Sequence, residues 1–105
     1  MIWTVEYTKE AQHDLDHLDR SQQLQVLKAI EKVSANPLPA SEGGFGKPLG
    51  NHATSKLAGY QKIKIQKFGL RIVYTIVREA TLMRVIIISI RDDETVYQLA
   101  QKRIK

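Results

Sequence analysis

Five side chains in the second half of the chain have the chemistry to hold and rearrange a phosphate ester: Lys62, Lys64, Arg71, Arg91 and Tyr97. Lys62 and Lys64 are two apart, the spacing that puts both ammonium groups on one face of a strand. Arg71 follows across a short turn, and its guanidinium fork matches phosphate oxygens bidentately. Lys67 lies in that turn and adds a cation for a nucleic-acid backbone. Arg91 ends an apolar strand, the usual exit point for a functional side chain, and Tyr97 follows six residues later in a final helix. Taken singly, a Lys-x-Lys more often guards a strand edge and a Tyr more often packs a core. Their convergence from three strands and a short helix is what points to a site. Such a surface is cationic and phenolic and has no histidine or cysteine, and its natural target is phosphate.

The charge distribution agrees. Residues 1–55 hold five Lys/Arg against seven Asp/Glu, whereas residues 56–105 hold eleven against four, so the net charge of +5 is concentrated in the second half. A basic half of this kind suits a polyanion. The chain has no Cys, which excludes disulfides and thiolate metal sites. Met1 to Glu6 reaches a carboxylate before any apolar stretch can form, so no secretory leader is expected. The run from Val85 to Ile90 is too short to span a bilayer, and a cytoplasmic, membrane-free protein is expected.

The positioning elements follow from periodicity. Ile2 to Tyr7 is β-branched and aromatic and reads as a strand. Thr8 can cap a helix in which Ala11, Leu15 and Leu18 recur through Asp19; Ser21 can cap a second, to about Ser34, with Val26, Ile30 and Val33 on one stripe and Leu24 and Leu27 beside it. Asn36-Pro37 stops it, so the two helices form a hairpin joined by a two-residue turn. Pro37 to Ser55 reads as a flexible Gly/Pro-rich connector, and Pro48 after Lys47 rules out a phosphate-binding P-loop. Tyr60 to Gln66 and Leu70 to Arg78 alternate with period two, and Leu82 to Arg91 reads as a strand covered on both faces. Asp92 and Asp93 can cap a last helix, Glu94 to Arg103. The expectation is a single α+β domain over residues 1–105, in the order β-α-α-β-β-β-α: an antiparallel sheet packed with an N-terminal helical hairpin and a short C-terminal helix.

Gly59-Tyr60-Gln61-Lys62-Ile63-Lys64-Ile65, Gly69-Leu70-Arg71-Ile72-Val73-Tyr74, Ile88-Ser89-Ile90-Arg91 and Val96-Tyr97 resemble the RelE branch of the RelE/ParE toxin superfamily. The Asn36-Pro37 helix end and Lys47-Pro48-Leu49-Gly50 share the likeness, which covers the chain in order of elements. The resemblance implies a RelE-like fold and a toxin of a type II toxin–antitoxin system. Such a toxin is a ribosome-dependent, metal-independent endoribonuclease that cleaves translated mRNA and is held inactive by a cognate antitoxin. The alternative is a ParE-like toxin that inhibits DNA gyrase without cutting RNA. Lys62 and Lys64 match the branch's paired strand lysines, Arg71 its phosphate-binding arginine, Arg91 its second catalytic arginine and Tyr97 its catalytic tyrosine. Arg91 follows Ile90 directly, where the branch often has a Gly and one more residue, and Asp92-Asp93-Glu94 is more acidic than the usual stretch. In RNA cleavage by the neighbouring 2′-hydroxyl, Tyr97 is the only base this surface offers. Nearby cations would pull its pKa down from ~10. Lys62, Lys64 and Arg71 would hold the phosphate, and Arg91, which does not deprotonate, would stabilise the transition state.

Other residues are given structural roles. His13 and His17 sit four apart on a helix but lack a third ligand, so no metal or other cofactor is expected. Asp14 and Asp16 do not face each other on a helix. Trp3 and Phe45 can stack bases, but core packing is expected of Trp3 and loop anchoring of Phe45.

Overall fold

A computed structural model describes residues 3–48, 59–90 and 93–103. The side chains of Pro48, Asp93, Glu94 and Tyr97 are outside that description. The expected elements appear in the expected order: β1 (Thr4–Tyr7), α1 (Lys9–Asp16), α2 (Arg20–Ser34), β3 (Tyr60–Ile65), β4 (Leu70–Val77), β5 (Leu82–Ser89) and α3 (Asp93–Arg103). A two-residue strand, β2 (Lys47–Pro48), is added within the connector. The sheet order is β1-β5-β4-β3-β2. Strands β2 to β5 pair antiparallel, whereas β1 pairs parallel to β5, so the sheet is mixed. Parallel entry follows from the path: β1 leads into the helical hairpin, and the meander returns β5 alongside it in the same direction.

The helix starts were only partly anticipated. Thr8 caps α1 as expected, its hydroxyl accepting from the Ala11 N–H at 3.1 Å. However, α1 ends at Asp16 and α2 is capped by Asp19, not Ser21. The Asp19 carboxylate accepts from the Gln22 N–H at 2.8 Å and the Gln22 side chain accepts from the Asp19 N–H at 3.1 Å. This reciprocal pair satisfies two otherwise orphaned donors, which a Ser two positions later cannot do.

The hairpin covers one face of the sheet. Ala11, Leu15, Val26, Ile30 and Val33 pack there on Leu70, Ile72, Tyr74, Met83, Val85 and Ile88. On the other face, Val96 and Ala100 of α3 pack on Val73, Ile86 and Ile87. Leu24 and Leu27, expected beside the apolar stripe of α2, are exposed. Val73 pairs with Ile87 but Tyr74 pairs with Val85, so Ile86 is an extra residue in β5. This bulge puts two successive residues, Ile86 and Ile87, under α3 and returns Ile88 to the hairpin side.

The bulge also anchors α3. Strand β1 accompanies β5 only from Leu82 to Val85. Beyond it, the Ile88 N–H donates to Asp14 Oδ2 at 3.1 Å and Arg103 Nη1 donates to the Ile86 carbonyl at 2.8 Å. Arg103 and Asp14 are joined by two bonds of 2.7 and 3.1 Å, with only 17% and 18% of their side chains exposed. One ion pair thus ties the last turn of α3 to α1 across the end of the sheet.

The described part of the connector is held by specific bonds and close packing. Pro37 is fully buried, and its carbonyl accepts from the Tyr74 hydroxyl at 2.7 Å. A 3₁₀ turn at Ala40–Glu42 follows, and Ala40 N–H bonds the Gly46 carbonyl while Gly46 N–H bonds that of Leu38. Glycine is required at two places: a Cβ at Gly44 would lie 2.0 Å from the Leu38 carbonyl oxygen, and one at Gly46 would lie 2.6 Å from the Tyr74 hydroxyl. These close approaches fix the loop, and its remainder, residues 49–58, lies outside the described residues.

Candidate nucleic-acid interface

Strand register brings the sequence-predicted cations together. Lys64 pairs with Arg71 and Arg71 with Ser89, a row across three strands. The next row runs Lys47, Lys62, Val73, Ile87. Directly paired residues put their side chains on one face, and residues two apart share it. Since Val73 and Ile87 pack against α3, Lys47, Lys62, Lys64 and Arg71 all belong to the face on which α3 lies. Ser89 joins them only because the bulge reverses the parity of β5. Tyr97 occupies the second turn of α3, with its side chain outside the description. Arg91, with Asp92, lies outside the described residues, so its position relative to the rows is not part of the geometry.

The two rows contain no carboxylate. Arg71 is half-buried, and its Nη1 donates to the Gly69 carbonyl at 3.0 Å, which steadies the side chain beside the turn. Lys67 is exposed in that turn, its Nζ 5.6 Å from the centroid of the Phe68 ring. Phe68 has a φ of +66°, a left-handed conformation that the tight β3–β4 connection requires. Two acidic side chains among the described residues are paired with other arginines. Glu42 is held by Arg78 at 2.7 Å and Glu6 by Arg84 at 2.7 Å. Arg78 depresses the Glu42 pKa, mainly through the hydrogen bond.

Lys47 is a member that sequence reasoning missed; its pairing with Lys62 needs β2, which the Gly/Pro-rich run concealed. Asp14 was also missed, because its partner is 89 residues away. Tyr74 is not a second candidate base: burial pushes its phenol well above the ordinary tyrosine range, and its proton is committed to Pro37. His13 and His17 are exposed, with ring centroids 4.1 Å apart, and no group of three metal-ligating side chains occurs among the described residues. The arrangement can bind a phosphodiester across two rows of cations, beside a helix that carries a phenol.

Comparison with known proteins accords with this geometry. The profile of the family described as ParE toxin of type II toxin-antitoxin system, parDE, matches residues 5–97. The chain belongs to that family. A curated Escherichia coli relative, a putative RelE-like toxin protein, is 27% identical over the full length of both chains. The fold is that of RelE: an Arg-to-Ala double mutant of the Escherichia coli RelE toxin in the free state superposes with a TM-score of 0.73 at 22% identity, covering all of both chains. The RelBE2 toxin–antitoxin complex from Mycobacterium tuberculosis gives 0.69 at 25% identity, over 87% of this chain and 93% of that one. This chain is therefore a RelE-like toxin of the type II class.

Proposed function

We propose that this toxin is a metal-independent, cytoplasmic endoribonuclease that cleaves mRNA on the translating ribosome, within a single catalytic domain. The observation that carries the reading is the register that sets Lys64 against Arg71 and places Lys62 in the adjoining row, on the face where α3 carries Tyr97. In this mechanism the Tyr97 phenolate removes the proton from the 2′-hydroxyl next to the scissile phosphate. The 2′-oxygen attacks phosphorus, the P–O5′ bond breaks, and the 5′-oxygen takes a proton from solvent water as it leaves, giving a 2′,3′-cyclic phosphate. Lys62, Lys64 and Arg71 neutralise the phosphorane, and Lys67 holds the flanking backbone. Arg91 is assigned the stabilisation of the same charge. The ribosome bends the message so that attack is in line, an orientation a small open surface cannot impose alone.

The cognate partner is an antitoxin, which neutralises the cationic face with an acidic, amphipathic segment. Solved relatives include an Escherichia coli RelE mutant bound to a peptide of the antitoxin RelB. No helix among the described residues is long and apolar enough to cross a membrane. The test is cleavage of a defined message on programmed ribosomes by the purified toxin. Arg71→Ala and Tyr97→Phe are expected to abolish cutting and growth arrest with the fold retained. Full activity in both variants would sink the assignment. Inhibition of gyrase supercoiling without RNA cleavage would establish the ParE-like alternative instead.

A further inference from the structure

Beyond the phosphate rows, a groove of about 290 Å³ opens between α2 and the β3 edge of the sheet. Its floor is apolar, formed by Ala29, Val33, Ile63 and Ile65. Its rim carries Lys32, Lys47, Lys62 and Lys64, and no carboxylate lines it among the described residues. Phe45 closes one side with 48% of its surface exposed, and Lys32 Nζ lies 5.7 Å from the centroid of its ring. The ring does not anchor its loop by burial, as its sequence context suggests. The loop is held instead by the Phe45 N–H to Asn36 carbonyl bond of 2.9 Å and by buried Pro37.

We infer that this groove is a nucleobase subsite: the RNA strand held by Lys62 and Lys64 continues round the edge of β3, where a flanking base stacks on Phe45 and its phosphate meets Lys32 and Lys47. The inference rests on the proposed RNA-binding role of the cationic face. Two features favour RNA over an acidic protein segment. The groove meets the phosphate rows at Lys62 and Lys64 on the sheet edge, so a strand bound on the rows reaches it by turning round that edge. An exposed aromatic ring beside ammonium groups is the recurring platform for single-stranded nucleic acid, which presents a π-face at every base and a charge at every link. The volume of about 290 Å³ also accommodates one planar base. The subsite would be tolerant of base identity, since stacking carries no hydrogen-bond code.

The test uses the full chain and two readouts. In the first, a nine-nucleotide single-stranded RNA is titrated into the toxin while the Phe45 ring signals are followed by NMR. Phe45→Ala is expected to weaken binding by about 5- to 100-fold, the range for loss of one stacked base. Phe45→Tyr is expected to bind as wild type. In the second, cleavage on programmed ribosomes should show a raised KM and an unchanged kcat for Phe45→Ala and, more weakly, Lys32→Ala. The binding readout stands even if no RNA is cut, so failure of the nuclease reading is separable from failure of the subsite. The inference is overturned if wild type does not bind the oligonucleotide, or if Phe45→Ala binds it as tightly as wild type. It is equally overturned if Phe45→Ala loses affinity for the antitoxin alone, which would give the groove to a protein partner.

Discussion

On the hairpin side of the sheet, Leu70, Ile72, Tyr74 and Val85 have no exposed surface, whereas on the opposite side β3 and β4 carry Lys62, Lys64 and Arg71 beside a single eleven-residue helix. The two faces are interleaved residue by residue along β3 and β4, because strand side chains alternate. The hairpin face supplies the larger apolar core, and the other face combines a smaller core under α3 with the charge. A functional face can therefore be changed without dismantling the core, provided the substituted residue has the right parity.

That contrast is broken most directly at neighbouring positions. Ile72→Ala removes a fully buried side chain and should destabilise the fold by about 2–5 kcal/mol in urea unfolding. Arg71→Ala, one residue away, loses a half-buried side chain bonded to the Gly69 carbonyl and should cost about 0.5–1.5 kcal/mol, well short of Ile72→Ala, while abolishing cleavage on ribosomes. If Arg71→Ala unfolded the protein as Ile72→Ala does, the division between faces would be wrong. The clasp between Asp14 and Arg103 joins the two faces and is the next test. Asp14→Ala leaves the Arg103 guanidinium and the Ile88 N–H without their partner, at an expected cost of about 2–3 kcal/mol, somewhat below a fully buried pair because both groups keep some exposure. Hydrogen exchange should show α3 losing protection before the strands do. Uniform loss across the sheet would mean that the pair supports the core rather than the helix.

What the sequence disclosed follows from the range of the interactions involved. Lys62, Lys64 and Arg71 were legible because parity along a strand is local, and so were the hairpin and the order of elements. The parallel pairing of β1, the bulge at Ile86 and the clasp at Asp14 each depend on two distant segments meeting in one register, and no local pattern encodes that. The Asp19 cap was in principle readable from the Asp-x-x-Gln spacing, but Ser21 is an equally good capping type and competed with it. Residues 37–48 looked flexible because Gly and Pro dominate; two of those glycines are instead demanded by the close approach of Leu38 and Tyr74. The candidate site divides in the same way: its strand cations are placed by register, whereas Arg91 and the Tyr97 side chain are not.

Tyr74 sharpens the comparison on the hairpin side, where a polar group is tolerated only because it is bonded. Tyr74→Phe should cost about 1–3 kcal/mol by leaving the Pro37 carbonyl unsatisfied. Its pH signature has a definite sign. Burial raises the folded pKa above the ordinary value of 10.0, so the stabilising contribution is complete below pH 10 and is lost as pH rises toward the folded value. Wild type should therefore weaken above pH 10 more steeply than Tyr74→Phe. Tyr7, also raised by burial, would maintain part of the slope in both proteins.

The smallest effect is expected at the surface ion pair between Glu42 and Arg78, which holds the 3₁₀ turn of the connector to the end of β4 through bonds of 3.0 and 2.7 Å. Its geometry is bidentate, yet both groups are open to solvent, where water and salt screen most of the attraction. Arg78 lowers the Glu42 pKa, so the pair contributes above the ordinary value of 4.5 and the contribution fades as pH falls through the lower folded value. Glu42→Gln should leave the melting temperature at pH 7 unchanged within error and should slightly flatten the loss of stability in acid. A clear loss at neutral pH would show that the connector is held by this pair rather than by Tyr74, Pro37 and the two close glycines. The edge groove beside Phe45 would then depend on salt concentration for its shape as well as for its ligand.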